Sequence, residues 1–80
     1  MKWTNSEGKL SRKIECQDFN DALALVNKIA LIAEELNHHP NLNIYDYKWL
    51  KIEVYSHDTN SITQKDHQLT KKIDIVLEQK

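Results

Sequence analysis

Apolar residues along the chain occur with strand-like spacing in some segments and with helix-like spacing in others. Residues 10, 12, 14 and 16 share one face of a predicted strand and are apolar except for Arg12, which weakens the pattern, and a similar alternation runs from 49 to 57. A shorter extended run begins at Leu42. The segment from Trp3 to Gly8 ends in a polar cluster typical of a tight turn, so it predicts a partner for the first strand. The pattern therefore predicts four strands.

Between the two strand pairs, residues 18–36 carry the clearest helical pattern. Asp18 is suited to the N-cap, and Asp21 follows three residues later in the first turn. The helix must end near Asn37 or His38, because the residue before Pro40 is disfavoured in α-helical conformation. The predicted buried face consists of Phe19, Ala22, Leu25, Val26, Ile29, Ile32, Ala33 and Leu36.

A second helix is predicted to open at Thr63, with Asp66 three residues later. Its buried stripe would contain Leu69, Ile73, Val76 and Leu77. The order β-β-α-β-β-α is typical of an α+β fold, in which a four-stranded antiparallel sheet carries both helices on one face. With only 80 residues, residues 1–80 are expected to form a single domain.

Composition narrows the range of functions. Eleven basic and 12 acidic residues give a formal charge of −1, which argues against a protein that binds nucleic acid through a basic surface. Cys16 is the sole cysteine, so no internal disulfide is possible, and a small buried thiol is the expected role. No apolar run is long enough for a membrane span or a signal peptide, and a cytoplasmic protein is therefore expected.

Four histidines, His38, His39, His57 and His67, are the candidates for chemistry. A metal site is disfavoured, because adjacent histidines project in different directions and no second cysteine is present. Acid–base catalysis suits imidazole better, since the ring exchanges a proton near neutral pH. His67 is expected to be a surface residue of the last helix.

The helical pattern, if continued, places His38 one turn beyond Glu34, where the carboxylate can orient the imidazole. His39 is held extended by Pro40 and can line the wall of a pocket. His57 ends the fourth strand, and the three imidazoles would surround one pocket if the helix end and the strand end meet. The alternatives stay open at this point, because a histidine pair often caps a helix and a strand-end histidine is often merely solvated.

The spacing of these residues resembles that of the pterin-4a-carbinolamine dehydratases. The family pattern is a glutamate, three residues, His-His-Pro, five or six residues, an aromatic residue, nine residues, a histidine, and an aspartate at least eight residues later. The matching positions here are Glu34, His38, His39, Pro40, Tyr47, His57 and Asp66.

The resemblance implies four antiparallel strands backed by helices, assembled as a homodimer or homotetramer. The sequence departs from the family in one respect, because the N-terminal helix that is usual in the family is not expected here. It implies a hydro-lyase of tetrahydrobiopterin recycling that removes water from 4a-hydroxytetrahydropterin without a metal or organic cofactor. His39 and His57 are expected to transfer protons, and His38 is expected to bind and polarise the pterin. Supporting or substrate-binding roles are expected for Glu34, Pro40, Tyr47 and Asp66.

Two further points bear on this resemblance. Leu42 stands where many members carry an aromatic residue, so stacking against the pterin would be weaker or would fall to Trp49 or Tyr45. The alternative function is a non-catalytic dimerisation or assembly module on the same fold, because fold alone does not fix function.

Overall fold

The computed structural model describes residues 3–56 and 61–78. The elements in chain order are β1 (Thr4–Ser6), β2 (Lys9–Glu15), α1 (Phe19–Leu36), β3 (Asn41–Tyr45), β4 (Trp49–Val54) and α2 (Gln64–Glu78). This is the predicted β-β-α-β-β-α order.

The four strands form one antiparallel sheet in the order β1-β2-β4-β3. The chain builds the β1–β2 hairpin, passes through α1 to the opposite edge as β3, and returns to the centre as β4. In this register Leu10 pairs with Val54, and Ile52 pairs with both Arg12 and Leu42. The apolar positions of the central strands therefore share one face, as their alternation predicted.

Both helices cover that apolar face of the sheet. Leu50, Ile52 and Val54 of β4 are fully buried, and they belong to the same core as Ile29 of α1 and Ile73 of α2. The α+β fold with two helices on one side of a four-stranded antiparallel sheet is thus confirmed. Neither helix in the described part of the chain is long and apolar enough to cross a membrane.

The predicted apolar face of α1 is wrong at one position. Ala22, Leu25, Ile29 and Ala33 are buried, but Phe19 is 51% exposed. Phe19 is the first helical residue and lies about 80° around the helix from Ile29, so it stands at the margin of the buried stripe.

Arg12, which lies on the apolar side of β2, has a specific partner in α2. Its Nη1 atom lies 2.7 Å from Oδ1 of Asp74, and that oxygen also accepts a hydrogen bond of 2.8 Å from the Trp3 indole. The cation is therefore paired where the sheet meets the second helix.

Two side-chain hydrogen bonds define the start of α1. The Asp18 carboxylate accepts a hydrogen bond of 2.8 Å from the amide of Asp21, and the Asp21 carboxylate accepts one of 2.9 Å from the amide of Gln17. These contacts satisfy backbone donors that have no partner within the helix, and the predicted N-cap is confirmed.

At its other end, α1 closes in a Schellman motif. Asn37 adopts a left-handed conformation with φ of 51°. Its amide donates to Glu34 O at 3.2 Å, and the His38 amide donates to Ala33 O at 3.1 Å. The chain therefore leaves the helix axis at Asn37, and the two histidines that follow are not helical.

We expect the left-handed conformation of Asn37 to be selective for residue type. Asn37→Val should lower the free energy of unfolding by about 1–2 kcal/mol, because a β-branched residue is disfavoured in that region. Asn37→Gly should be at least as stable as the wild type. Urea denaturation of the three proteins checks this, and equal midpoints for the valine and glycine variants would contradict it.

Candidate active site

The imidazole of His38 is held against a buried carboxylate. His38 follows the end of α1, and its Nε2 atom forms a hydrogen bond with Oδ1 of Asp66 in the first turn of α2. The His38 side chain is only 11% exposed and that of Asp66 is fully buried. One helix end therefore presents a ring that the other helix orients.

The second carboxylate oxygen of Asp66, Oδ2, accepts hydrogen bonds from two more segments. Oδ2 accepts a hydrogen bond of 2.7 Å from the amide of Thr63 and one of 3.0 Å from the hydroxyl of Ser56, which lies just beyond β4. The hydroxyl oxygens of Ser56 and Thr63 lie 2.7 Å apart. The end of α1, the end of β4 and the start of α2 thus converge on a single carboxyl group.

The surroundings of Asp66 favour its ionised form. Burial opposes the charge and by itself would raise the pKa of this carboxyl. The hydrogen bonds from His38, from the Thr63 amide and from the Ser56 hydroxyl favour the charge, and together they outweigh burial, so the pKa of Asp66 is lowered from its ordinary value. Asp66 is therefore a carboxylate at neutral pH.

Glu34 pairs with His39 and not with His38. Oε2 of Glu34 forms a hydrogen bond with Nε2 of His39, and both side chains are exposed. The predicted contact between Glu34 and His38 is wrong, because the left-handed Asn37 ends the helical geometry on which an i,i+4 contact depends. Each of the two adjacent histidines thus has its own carboxylate, one buried and one exposed.

Within this chain, Tyr47 is not brought to the histidine pair. It occupies the β3–β4 turn with φ of 54°, next to Lys48, whose carbonyl accepts a hydrogen bond of 2.7 Å from the Cys16 amide. That contact places the turn near the start of α1, whereas His38 follows its end. Eighteen helical residues separate the two ends by about 27 Å, so Tyr47 lies far from the histidine pair within this chain, and its supporting role stays a prediction.

The two aromatic residues considered for stacking lie at that same turn end of the sheet. Tyr45 and Trp49 are a cross-strand pair, and their rings stack with centroids 6.4 Å apart at an angle of 17°. They stack on each other, at the end of β3 that is remote from Pro40.

The remaining candidates have mixed outcomes. His57 lies outside the described residues, directly after Ser56 in the chain. His67 is exposed and Cys16 is a buried free thiol, both as predicted. Among residues 3–56 and 61–78, no three histidine, cysteine, aspartate or glutamate side chains are placed to hold a metal ion.

The roles of Ser56 and Thr63 in this site did not emerge from the sequence. Thr63 and Asp66 carried a visible signal, since their spacing is that of a capping pair, and the Thr63 amide does donate to the Asp66 carboxylate. Nothing in that local pattern indicated that the same carboxylate would also bind His38 and Ser56 across the fold.

Comparison with known proteins shows the family to which the chain belongs. The sequence profile described as Pterin 4 alpha carbinolamine dehydratase matches residues 1–76. The chain belongs to this family.

Curated relatives from distant organisms carry the same description, "Putative pterin-4-alpha-carbinolamine dehydratase". A protein of Solibacter usitatus is 42% identical over 73 residues, which are 90% of this chain and 75% of the relative. A protein of Sulfolobus acidocaldarius is 35% identical over 71 residues, which are 89% of this chain and 77% of the relative.

Two solved structures share the fold. A transcriptional coactivator/pterin dehydratase from Brucella melitensis superposes with a TM-score of 0.84 at 25% identity, over 94% of this chain and 81% of the other. A pterin dehydratase-like protein described as a RuBisCO assembly factor in the alpha-carboxysome gives a TM-score of 0.71 at 15% identity, over 92% and 84%. The second likeness shows the fold alone.

The lowered pKa of Asp66 predicts how stability depends on pH. The Asp66 carboxyl group binds its proton less tightly in the folded protein than in the unfolded chain. The stabilisation by the ionised carboxylate is therefore present above a pH of about 4 and is lost as the pH falls through the pKa of Asp66 in the folded protein. Asp66→Asn should lower the free energy of unfolding by about 1–3 kcal/mol at pH 7, and should lose less further stability between pH 5 and 3 than the wild type does.

Urea denaturation at several pH values measures both effects. Glu35→Gln, which removes an exposed carboxyl of α1, is the matched control and should follow the wild type. Parallel pH profiles for Asp66→Asn and the wild type would show that Asp66 does not stabilise the fold as a carboxylate.

Proposed function

We propose that this chain is a 4a-hydroxytetrahydropterin dehydratase, which eliminates water from the pterin 4a-carbinolamine to give quinonoid dihydropterin. The observation that carries the proposal is the His38–Asp66 pair, in which a buried carboxylate orients a ring beside the exposed His39. Membership of the pterin 4 alpha carbinolamine dehydratase family supports the substrate class.

The elimination needs two proton movements. The departing hydroxyl must receive a proton to leave as water, and the neighbouring ring nitrogen must lose one as the double bond to the carbon forms. Imidazole can perform either step near neutral pH. No reductant or oxidant is consumed, because the substrate loses only the elements of water.

In the proposed division of roles, His39 and His57 transfer the protons, and His38 binds and polarises the pterin. His39 is suited to transfer because its ring is exposed and because the Glu34 carboxylate, with which it forms a hydrogen bond, can orient it. His38 is suited to binding because Asp66 fixes its ring. Pro40 follows His39 and restricts its backbone. Ser56 directly precedes His57 in the sequence.

We further propose a homodimer or homotetramer as the working assembly. Strands β1 and β3 are the two edges of the sheet in this chain. Exposed edges of this kind favour pairing with a second copy.

A second candidate function is a non-catalytic assembly module. The structural likeness to a protein described as a RuBisCO assembly factor allows this use of the fold. Exposed apolar side chains offer surface for a protein partner, among them Phe19, Leu23, Leu31 and Ile75. A module of this kind would have no need of an oriented imidazole.

A stopped-flow absorbance measurement of carbinolamine decay tests the proposal. The wild type at micromolar concentration should accelerate the decay, and His39→Ala should lower the enzymatic rate by about 10²–10⁴-fold, as expected for loss of a general acid or base. His67→Ala removes an exposed imidazole of α2 and should leave the rate unchanged.

The same assay decides between the candidates and assigns the third histidine. Absence of acceleration by the folded wild type would overturn the dehydratase proposal and favour the assembly module. An unchanged rate for His57→Ala would remove His57 from the proton-transfer scheme.

A further inference from the structure

Two hydroxyl groups behind Asp66 have no role in the proton transfers proposed above. Ser56 is buried, and its single hydroxyl proton points to Oδ2 of Asp66 at 3.0 Å. Thr63 Oγ1 lies 2.7 Å from Ser56 Oγ and 3.5 Å from Oδ2. The distance between the two hydroxyls does not set the donor, and because Ser56 donates to Oδ2, we assign the Thr63 hydroxyl as the donor to Ser56. The result is a directed chain of hydroxyls, from Thr63 to Ser56 to Asp66.

These two hydroxyl groups determine which carboxylate oxygen of Asp66 faces the His38 ring. With Oδ2 taken by Ser56 and by the Thr63 amide, Oδ1 is left for His38. An ionised carboxylate only accepts hydrogen bonds, so the facing nitrogen, Nε2 of His38, must carry a proton. In a neutral imidazole the other nitrogen, Nδ1, then has a lone pair and no proton.

We propose that Ser56 is a positioning residue that acts through Asp66 to hold neutral His38 in the tautomer protonated at Nε2, so that Nδ1 accepts a hydrogen bond from the substrate. The proposal rests on the dehydratase function for the identity of the ligand. It specifies the ligand chemistry further, because His38 would recognise an N–H or O–H donor of the pterin and would not donate to a carbonyl oxygen.

The geometry also says why a hydroxyl is needed at position 56. Without it, Oδ2 keeps the Thr63 amide but loses its second donor, and the buried carboxylate is no longer satisfied on that side. The carboxylate can then turn, and the His38 ring is no longer confined to one tautomer.

Long-range proton–nitrogen NMR spectra of the ¹⁵N-labelled protein test the tautomer directly. The four histidine rings are recorded while the pH is raised until they are neutral, and the His38 signals are identified by their loss in His38→Gln. The wild type should show His38 protonated at Nε2. Ser56→Ala should show a mixture of both tautomers, and Ser56→Thr, which keeps the hydroxyl, should restore the single form.

The control is Thr70, which carries another buried hydroxyl group in α2. Thr70 donates to the His67 carbonyl at 3.0 Å and is not part of the Asp66 set, so Thr70→Val should leave the His38 spectrum unchanged. If Ser56→Ala does not fold, Ser56→Cys carries the test, because it keeps the shape of the side chain and replaces the hydroxyl with a much weaker donor.

Activity gives a second readout. Ser56→Ala should lower kcat/KM by about tenfold, the scale of one lost hydrogen bond to a charged group, while Thr70→Val should not change it. His38 protonated at Nδ1 in the wild type, or unchanged His38 signals in the folded Ser56→Ala or Ser56→Cys protein, would overturn the positioning role. An inactive wild type that shows the Nε2 tautomer and its loss in Ser56→Ala would instead overturn the dehydratase function and leave the positioning role standing.

Discussion

The buried charge of Asp66 is the constraint on which the candidate site depends. A carboxylate removed from water is strongly destabilising unless donors surround it. Here the donors come from three separate segments: His38 after α1, Ser56 after β4, and the Thr63 amide before α2. Because all of them must be present together, the carboxylate fixes the relative position of the two helices and the central strand at the point where the histidines lie.

The rest of the fold separates two ends of the molecule. Strand β4 is central and carries three fully buried residues, so it anchors both helices to one face of the sheet. At one end, the β3–β4 turn lies near the start of α1. Tyr47 lies in this turn, and Tyr45 and Trp49 flank it. At the other end, α1 stops, β4 runs out and α2 begins. Only this second end brings imidazole rings and carboxylates together among the described residues.

Most of the fold could be predicted from the sequence, because it follows from local rules. Alternation gave the strands, and Asp18 and Pro40 bounded the long helix. The exposed position of Phe19 could not be predicted, because the width of a helix's buried face depends on how far the sheet extends beneath it. Arg12 looked misplaced on an apolar face until its partner Asp74, 62 residues away in the chain, was known.

The site was predicted less completely for the same reason. The histidines were candidates from the sequence, and the resemblance to the family added Asp66, but the partners of these residues depend on where the chain turns. A single left-handed residue, Asn37, moves His38 from the reach of Glu34 to that of Asp66 and leaves Glu34 to His39. Likewise, an aromatic residue at the expected spacing, Tyr47, lies near the wrong end of the helix because β3 leads the chain away from the histidines.

The proposed dehydratase function requires a pterin to bind where α1 and β4 end. Titration of a reduced pterin into ¹⁵N-labelled protein, followed residue by residue by NMR, tests it most directly. Saturable chemical-shift changes should be concentrated at His38, His39, Ser56 and Asp66. The β3–β4 turn, between Tyr45 and Trp49, should be unaffected. Shifts concentrated at that turn, or no shifts at millimolar pterin, would contradict it.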